Sequence, residues 1–500
     1  MINKFKNTDP LKLLSQLSKE QESIWIERGE AMALDLFHQM SKRVPAYKKF
    51  LKLNKIDPSK IQNIADFKTV PLIDKKNYLK AYPLDELCWD GKLVSEPWVF
   101  SSTSGTTGEP FYFPRTDEQD FQYALTAEMY LRTNFEIHKK STLYIDAFAM
   151  GPWIGGLFTY QALKHLVARG GYKMSILTTG VNKIEIIKAI RNLAGKYDQV
   201  IIGAYPPFLN DVLDEGIDQG LNWKKYNIKF VFSAEGFSET FRDAIAKKSG
   251  LKNIYKDTLN HYGTVDLGTM SHETPVSILI RRMAVANKDT YSKVFGQTHR
   301  LPTLTQYLPE MFYFEDLAGD LACSANSGIP LVRYDLKDRG GIFKLSQAYS
   351  LIPDLKKQIS KEKLQESVWN LPFVYVYERS DMVVTWYGAN VYPEHVKAAH
   401  HHNSVAKYLS GKFVLEVTSD KNHYPVLEVH TELKKNIKKS GEVLKKLKTR
   451  IIATLLEKNS EFKNSYLALP EHKRKTKINL FENESAPHFK PGGKQRWIIK

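Results

Sequence analysis

The sequence predicts an α/β fold, with a large N-terminal domain over residues 1–378 and a small α+β C-terminal domain over residues 379–500. Short β-branched or aromatic runs (Leu143 to Ile145, Val200 to Ile202, Phe230 to Phe232) alternate with helical segments such as KIEIIKAIRNLAGKY, a rhythm that predicts a mostly parallel sheet. After residue 380 the pattern restarts: a strand at Met382 to Val384, a helix from about Glu394, strands at Phe413 to Val417 and Val426 to Val429, then a lysine-rich helix. The length of 500 residues exceeds what one core serves, and 42% hydrophobic with 12% aromatic residues is enough to fill two.

Along the chain, residues 20–85 read as helices closed by proline turns, RVPAYKKF and TVPLIDKKNYLKAYPLD. The apolar run Pro97, Trp98, Val99, Phe100 then leads into SSTSGTTGEP at 101–110. Gly105 and Gly108 allow close backbone approach, while Ser104, Thr106 and Thr107 add hydroxyl donors, which suits a polyphosphate. Strand-helix NTPase loops end in Gly-Lys-Ser/Thr, but here Glu109 and Pro110 follow Gly108. As composition alone the segment is equally a turn-rich linker.

The net charge of +17 raises the question of nucleic acid or an anionic membrane. The lysines are dispersed, apart from Lys434, Lys435, Lys438, Lys439, Lys445, Lys446 and Lys448, in a segment where Leu444, Leu447, Ile451 and Leu455 recur at helical spacing. This predicts an amphipathic helix with a solvated basic face, attraction of an acidic partner being the alternative. No run of about 18 apolar residues and no cleavable leader is present, so a cytoplasmic location without a membrane partner is expected. Two cysteines, Cys88 and Cys323, are too few for a disulfide framework. His400, His401 and His402 are adjacent, so they do not share a helix face, and a solvated segment is expected in place of a metal site.

Five further segments carry chemistry when taken together: FSAEGFSETFR at 232–242, HYGTVDLGTM at 261–270, IPLVRYDLKDRGG at 329–341, YERSDMVVTWYGANVYPEHV at 377–396 and KPGGKQRWIIK at 490–500. Read alone, the first is a strand-to-helix turn with Ser238 as N-cap and Phe241 in the core. In this order, and with SGTTGEP ahead of them, they resemble the adenylate-forming superfamily of acyl-CoA ligases, peptide-synthetase adenylation domains and luciferases. The opening RVPAYKKF and TVPLIDKKNYLKAYP is similar to the phenylacetate-CoA ligase-like, CapK-like branch.

The resemblance implies an adenylate-forming enzyme fold with a multi-sheet N-terminal domain and a mobile C-terminal lid. It implies ATP binding by Ser104, Gly105, Thr106, Thr107 and Gly108 at the β- and γ-phosphates, and by Ser233, Ala234 and Glu235 against the adenine. Tyr262 and Gly263 match the element that packs on adenine. Val265 stands at its usual hydroxyl position and Asp266 in place of glutamate, leaving Thr264 to supply the hydroxyl and Asp266 to ligate Mg²⁺. Asp338, behind Pro330, Arg333 and Tyr334, takes the ribose hydroxyls. Arg379 reaches ribose or phosphate and Asp381 is the hinge, with Glu378 replacing the usual glycine. Lys494 is the adenylation lysine, with Lys490 as rival. An acyl pocket drawn from Phe148, Met150, Trp153, Gly155, Gly156 and Tyr205 suits an aromatic or medium-sized hydrophobic acid.

The implied activity is ATP-dependent conversion of a carboxylic acid to an acyl-adenylate, with transfer of the acyl group to the thiol of coenzyme A. Transfer to an amine or a carrier-protein thiol is the alternative, and a basic nucleic-acid-binding protein the remote one. The acid, the acceptor and a homodimeric state stay open.

Overall fold

The computed structural model describes residues 5–103, 110–296, 301–377, 383–387, 389–420, 424–490 and 495–499. Among them, eleven strands form one sheet. Its parallel half runs in the order Met174–Thr178, Thr142–Asp146, Gln199–Ala204, Ile228–Phe232, Thr258–Thr264. Alternation along these strands sends Leu143, Ile145, Val200 and Ile202 to one face and Tyr144, Ile201 and Val231 to the other. Helices Lys183–Leu193, Pro206–Asp218 and Glu239–Ser249 cover the first face; Asp117–Phe135 and Ile154–Gly170 cover the second.

The expectation of a mostly parallel sheet holds only for this half. After Thr264 the chain returns through a tight turn instead of a crossover helix, and Gly268–His272 pairs antiparallel with Thr258–Thr264. The sheet then continues antiparallel through Thr303–Gln306, Phe373–Val376, Leu331–Phe343, Asp320–Ala325 and Tyr313–Leu317. The helices Pro10–Lys19, Glu22–Arg43 and Pro45–Leu53 bury Leu17, Trp25, Phe37 and Tyr47 in the same hydrophobic cluster as Phe314, Leu321 and Val332 of these strands.

Residues beyond 383 fill a separate hydrophobic cluster. Leu409–Ser419 pairs antiparallel with Pro425–Leu433, which pairs in parallel with Thr476–Phe481. Leu447, Ile451 and Leu455 of helix Gly441–Lys458 are buried as the spacing predicts, but Leu444 is exposed.

Two sequence expectations change here. The basic cluster is not wholly solvated: Lys434 and Lys435 reach Asp214 (3.9 Å) and Glu215 (3.2 Å) on helix Pro206–Asp218. Nor is the histidine run solvated. His400 is buried, its Nδ1 2.9 Å from the Val396 carbonyl and its Nε2 3.1 Å from the Thr431 hydroxyl, and burial pushes its imidazole down to about 3. His401 packs on Phe241, its imidazole pushed down to about 4 by burial and by the nearby Lys397 and Lys248. His402 sits at the exposed end of the run. Among the described residues no helix is long and apolar enough to cross a membrane.

Candidate active site

Near the point where the sheet changes from parallel to antiparallel, Tyr262, Asp266 and Asp338 of the predicted nucleotide residues come together. Tyr262 ends a buried stretch of strand, and its hydroxyl donates to Asp338 Oδ2 at 2.7 Å. Tyr334 donates from strand Leu331–Phe343 to Asp266 Oδ2 at 2.5 Å. The two segments thus read Tyr-x-x-x-Asp alike, Tyr262 to Asp266 and Tyr334 to Asp338, and each tyrosine holds the other segment's carboxylate. Burial first, then the Asp338 carboxylate, raises the Tyr262 phenol well above its ordinary value, so the proton stays on the tyrosine.

Gly263 cannot carry a side chain here: a Cβ would lie 2.4 Å from the Gly268 carbonyl oxygen across the returning turn. Gly263→Ala is expected to cost about 1–3 kcal/mol through forced backbone displacement, read as a shift in the thermal unfolding midpoint; an unshifted midpoint would show that the turn yields freely. Thr264 Oγ1 accepts the Leu267 amide at 3.2 Å, so this hydroxyl closes the turn.

Asp266 is buried, and its Oδ1 lies 3.4 Å from Lys75 Nζ. The sequence reading missed Lys75. It opens a π-helical turn, Lys75–Leu79, whose cap Asp74 accepts the amides of Lys76 (2.8 Å) and Asn77 (2.7 Å). Backbone bonds from Ile73 to Arg333 and from Asp335 to Ile73 fasten this turn beside the Tyr334–Asp338 segment. The available signal was Asp74 ahead of Lys75 and Lys76, an N-cap pattern inside a segment read only as a proline-closed helix. Arg333 is structural: it pairs with Glu315 at 3.1 Å and donates to the carbonyls of Lys68 and Val70.

The turn Ser233–Ala234–Glu235 follows strand Ile228–Phe232, with Ala234 at φ 79° and Ser238 capping the next helix through the Phe241 amide (3.1 Å). Asn260 Nδ2 donates to the Glu235 carbonyl at 3.1 Å, and the Asn260 amide donates to Glu273 Oε2 at 2.9 Å. Beneath lies a buried quartet in which Arg242 and Arg281 share Glu273 Oε1 at 2.7 and 2.6 Å and both pair with Glu239. The Glu235 carboxylate meets two C-terminal residues, Trp497 Nε1 at 2.7 Å and Lys397 Nζ at 3.5 Å.

Of the residues predicted to form an acyl pocket, Phe148 is buried two residues beyond strand Thr142–Asp146 and packs on Gly155. Gly156 approaches so closely that a Cβ would lie 2.6 Å from the Ala149 carbonyl oxygen and 2.7 Å from Met150 Sδ. Tyr205 is half-buried and stacked on Phe208, while Trp153 is 41% exposed. Phe148, Met150, Gly155 and Gly156 therefore converge, and Trp153 is exposed. Thr103 and Phe111 exchange bonds of 3.0 and 2.9 Å at the base of the Ser/Gly loop, and the Ser102 amide reaches the Pro152 carbonyl at 2.9 Å. Ser104, Gly105, Thr106, Thr107, Gly108, Arg379, Asp381 and Lys494 lie outside the described residues.

No protein-family model and no curated protein matches the chain. Solved structures do. A 2-hydroxyisobutyryl-CoA ligase in the postadenylation state, in complex with R3-HIB-AMP, is 13% identical with a TM-score of 0.68, covering 97% of this chain and 91% of that one. The same ligase with 2-HIB-AMP and CoA in the thioesterification state gives 15%, 0.55, 97% and 91%. Its open conformation, with 2-HIB-AMP and CoA, gives 13%, 0.54, 97% and 94%.

Proposed function

We propose, from the adenylate-forming enzyme fold that this chain shares with those ligases, that it activates a carboxylic acid with ATP and passes the acyl group to a thiol, that of coenzyme A. The observation that carries this reading is the paired Tyr262–Asp338 and Tyr334–Asp266 arrangement at the carboxyl end of strand Thr258–Thr264, the edge at which open α/β sheets hold ligands.

A carboxylate is a poor acyl donor because oxide would have to leave. Attack of its oxygen on the α-phosphorus of ATP, with pyrophosphate departing, makes AMP the leaving group. The reaction needs alignment and neutralisation of negative charge more than it needs an acid-base pair. Asp338 is the acceptor for the ribose hydroxyls, and Tyr262 holds its carboxylate in place. The Ser104 to Gly108 loop is the cradle for the leaving pyrophosphate. Asp266 offers magnesium one carboxylate, and Mg²⁺ commonly completes its shell with substrate phosphates and water. Bound there, the ion would supply positive charge to the phosphates and would displace Lys75, which balances Asp266 otherwise. Phe148, Met150, Gly155 and Gly156 receive the acyl group. Residues 379–500 form the lid, turning about Asp381 so that Lys494 serves the first step and withdraws for the second. The contact of Lys434 and Lys435 with Asp214 and Glu215 argues against a role for this end of the basic cluster in binding nucleic acid.

The test is pyrophosphate release from ATP across a panel of carboxylic acids, with coenzyme A, an amine or no acceptor. Acid-dependent release is expected, with an acyl thioester formed only when coenzyme A is present. An acyl amide would select the amine alternative, and no release with any acid would end the adenylation reading. Asp338→Ala is expected to weaken ATP binding by about 1.5–3 kcal/mol, the size of one hydrogen bond to a charged group, in calorimetric titration; an unchanged affinity would refute the ribose role.

A further inference from the structure

Glu235 faces two ways. Its backbone belongs to the turn that borders the nucleotide site under the proposed function, held from below by Asn260. Its carboxylate leaves that site and receives the C-terminal tail: Trp497 Nε1 donates to Oε2 at 2.7 Å, and Lys397 Nζ stands 3.5 Å from the same oxygen and 4.0 Å from the centre of the Trp497 ring. All three side chains are largely removed from water. The tail is fastened on its other side by one parallel bridge, Leu415 to Ile498. The Leu415 amide donates to the Trp497 carbonyl and the Ile499 amide to the Leu415 carbonyl, each at 2.8 Å. Trp497 also packs against Phe413.

Further ion pairs line the surrounding contact, Lys183 with Glu484 running the other way from those of the next helix. Asp211 pairs with Lys412, and Glu215 with Lys435, so the acids of helix Pro206–Asp218 meet lysines of the C-terminal segment. This gives part of the lysine excess a use inside the molecule.

We propose that Glu235 and Trp497 are positioning residues that couple nucleotide binding to docking of the C-terminal tail. The inference rests on the proposed adenylation reading. Trp497 follows Lys494, the lysine assigned to the first step, by three residues in the sequence. Nucleotide packed against the 233–235 turn stiffens the acceptor of the Trp497 bond, and by reciprocity a docked tail strengthens nucleotide binding.

Trp497→Phe keeps the ring on Phe413 and Lys397 and removes only the N–H donor; Glu235→Gln keeps an acceptor oxygen and removes the charge facing Lys397. Closure is read by energy transfer between dyes on cysteines introduced by Lys196→Cys and Lys448→Cys, both exposed positions, the native Cys88 and Cys323 being buried. ATP is expected to raise the closed fraction of the parent protein, and Trp497→Phe to weaken that response and ATP affinity together by about tenfold, in line with one buried hydrogen bond to a charged group. Acyl-adenylate formation should slow in the same proportion while transfer from supplied acyl-adenylate stays at the parent rate, and Glu235→Gln should lie between parent and Trp497→Phe. Closure and ATP affinity in Trp497→Phe equal to the parent would overturn the coupling. Failure of the adenylation reading is distinguishable, since it shows as absent pyrophosphate release in the parent, whereas the closure and affinity arms read the Glu235–Trp497 contact directly.

Discussion

Glu273→Ala is expected to lower stability by about 3–5 kcal/mol, the cost of removing one partner from a buried ion cluster. Glu273 is fully buried, and its Oε1 accepts from both Arg242 and Arg281. With Glu239, Arg242 and Arg281 it forms a buried quartet, at whose edge Arg282 also reaches Glu239 at 3.3 Å. Alanine leaves one uncompensated guanidinium charge where water cannot reach it and removes the acceptor of the Asn260 amide. Because Asn260 also holds the Glu235 carbonyl, the loss should reach the Ser233–Glu235 turn as well. Urea unfolding of parent and variant measures the effect, and an unmoved midpoint would show that the quartet contributes nothing. Glu273→Gln keeps the shape and part of the hydrogen bonding, so a smaller loss is expected.

Lys494→Ala is expected to slow acyl-adenylate formation by about 10²–10³, the range found when one charge-stabilising donor is removed from an active site. Transfer from supplied acyl-adenylate should be spared, because under the lid reading that step uses the rotated arrangement from which Lys494 has withdrawn. Pre-steady-state pyrophosphate release measures the first step, and thioester formation from synthetic acyl-adenylate the second. Equal loss of both would remove the assignment, and a larger effect of Lys490→Ala would move it to Lys490.

Much of the fold was legible because its elements are local. The strands at 142–146, 199–204 and 228–232 follow from period and residue type, as does burial of Leu447, Ile451 and Leu455 on the lysine-rich helix, though not of Leu444. The antiparallel half was not legible. Strands paired across long intervals, such as Thr303–Gln306 with Phe373–Val376, leave no trace in local alternation. The histidine run misled for the same reason: polar residues in sequence read as solvated, yet His400 is buried once Val396 and Thr431 supply its hydrogen bonds.

By itself the sequence determined which chemical groups are available and in what order: a hydroxyl-and-glycine loop, two tyrosine-aspartate segments, a terminal lysine. Only the tertiary structure decided which groups answer each other. Tyr262 and Asp338 are 76 residues apart, Tyr334 and Asp266 are 68, and Glu235 and Trp497 are 262. Residue type and short spacing suffice to nominate a phosphate loop or a carboxylate. A carboxylate's role depends on the donor and cation packed against it, and here those arrive from distant segments brought together by burial of the sheet.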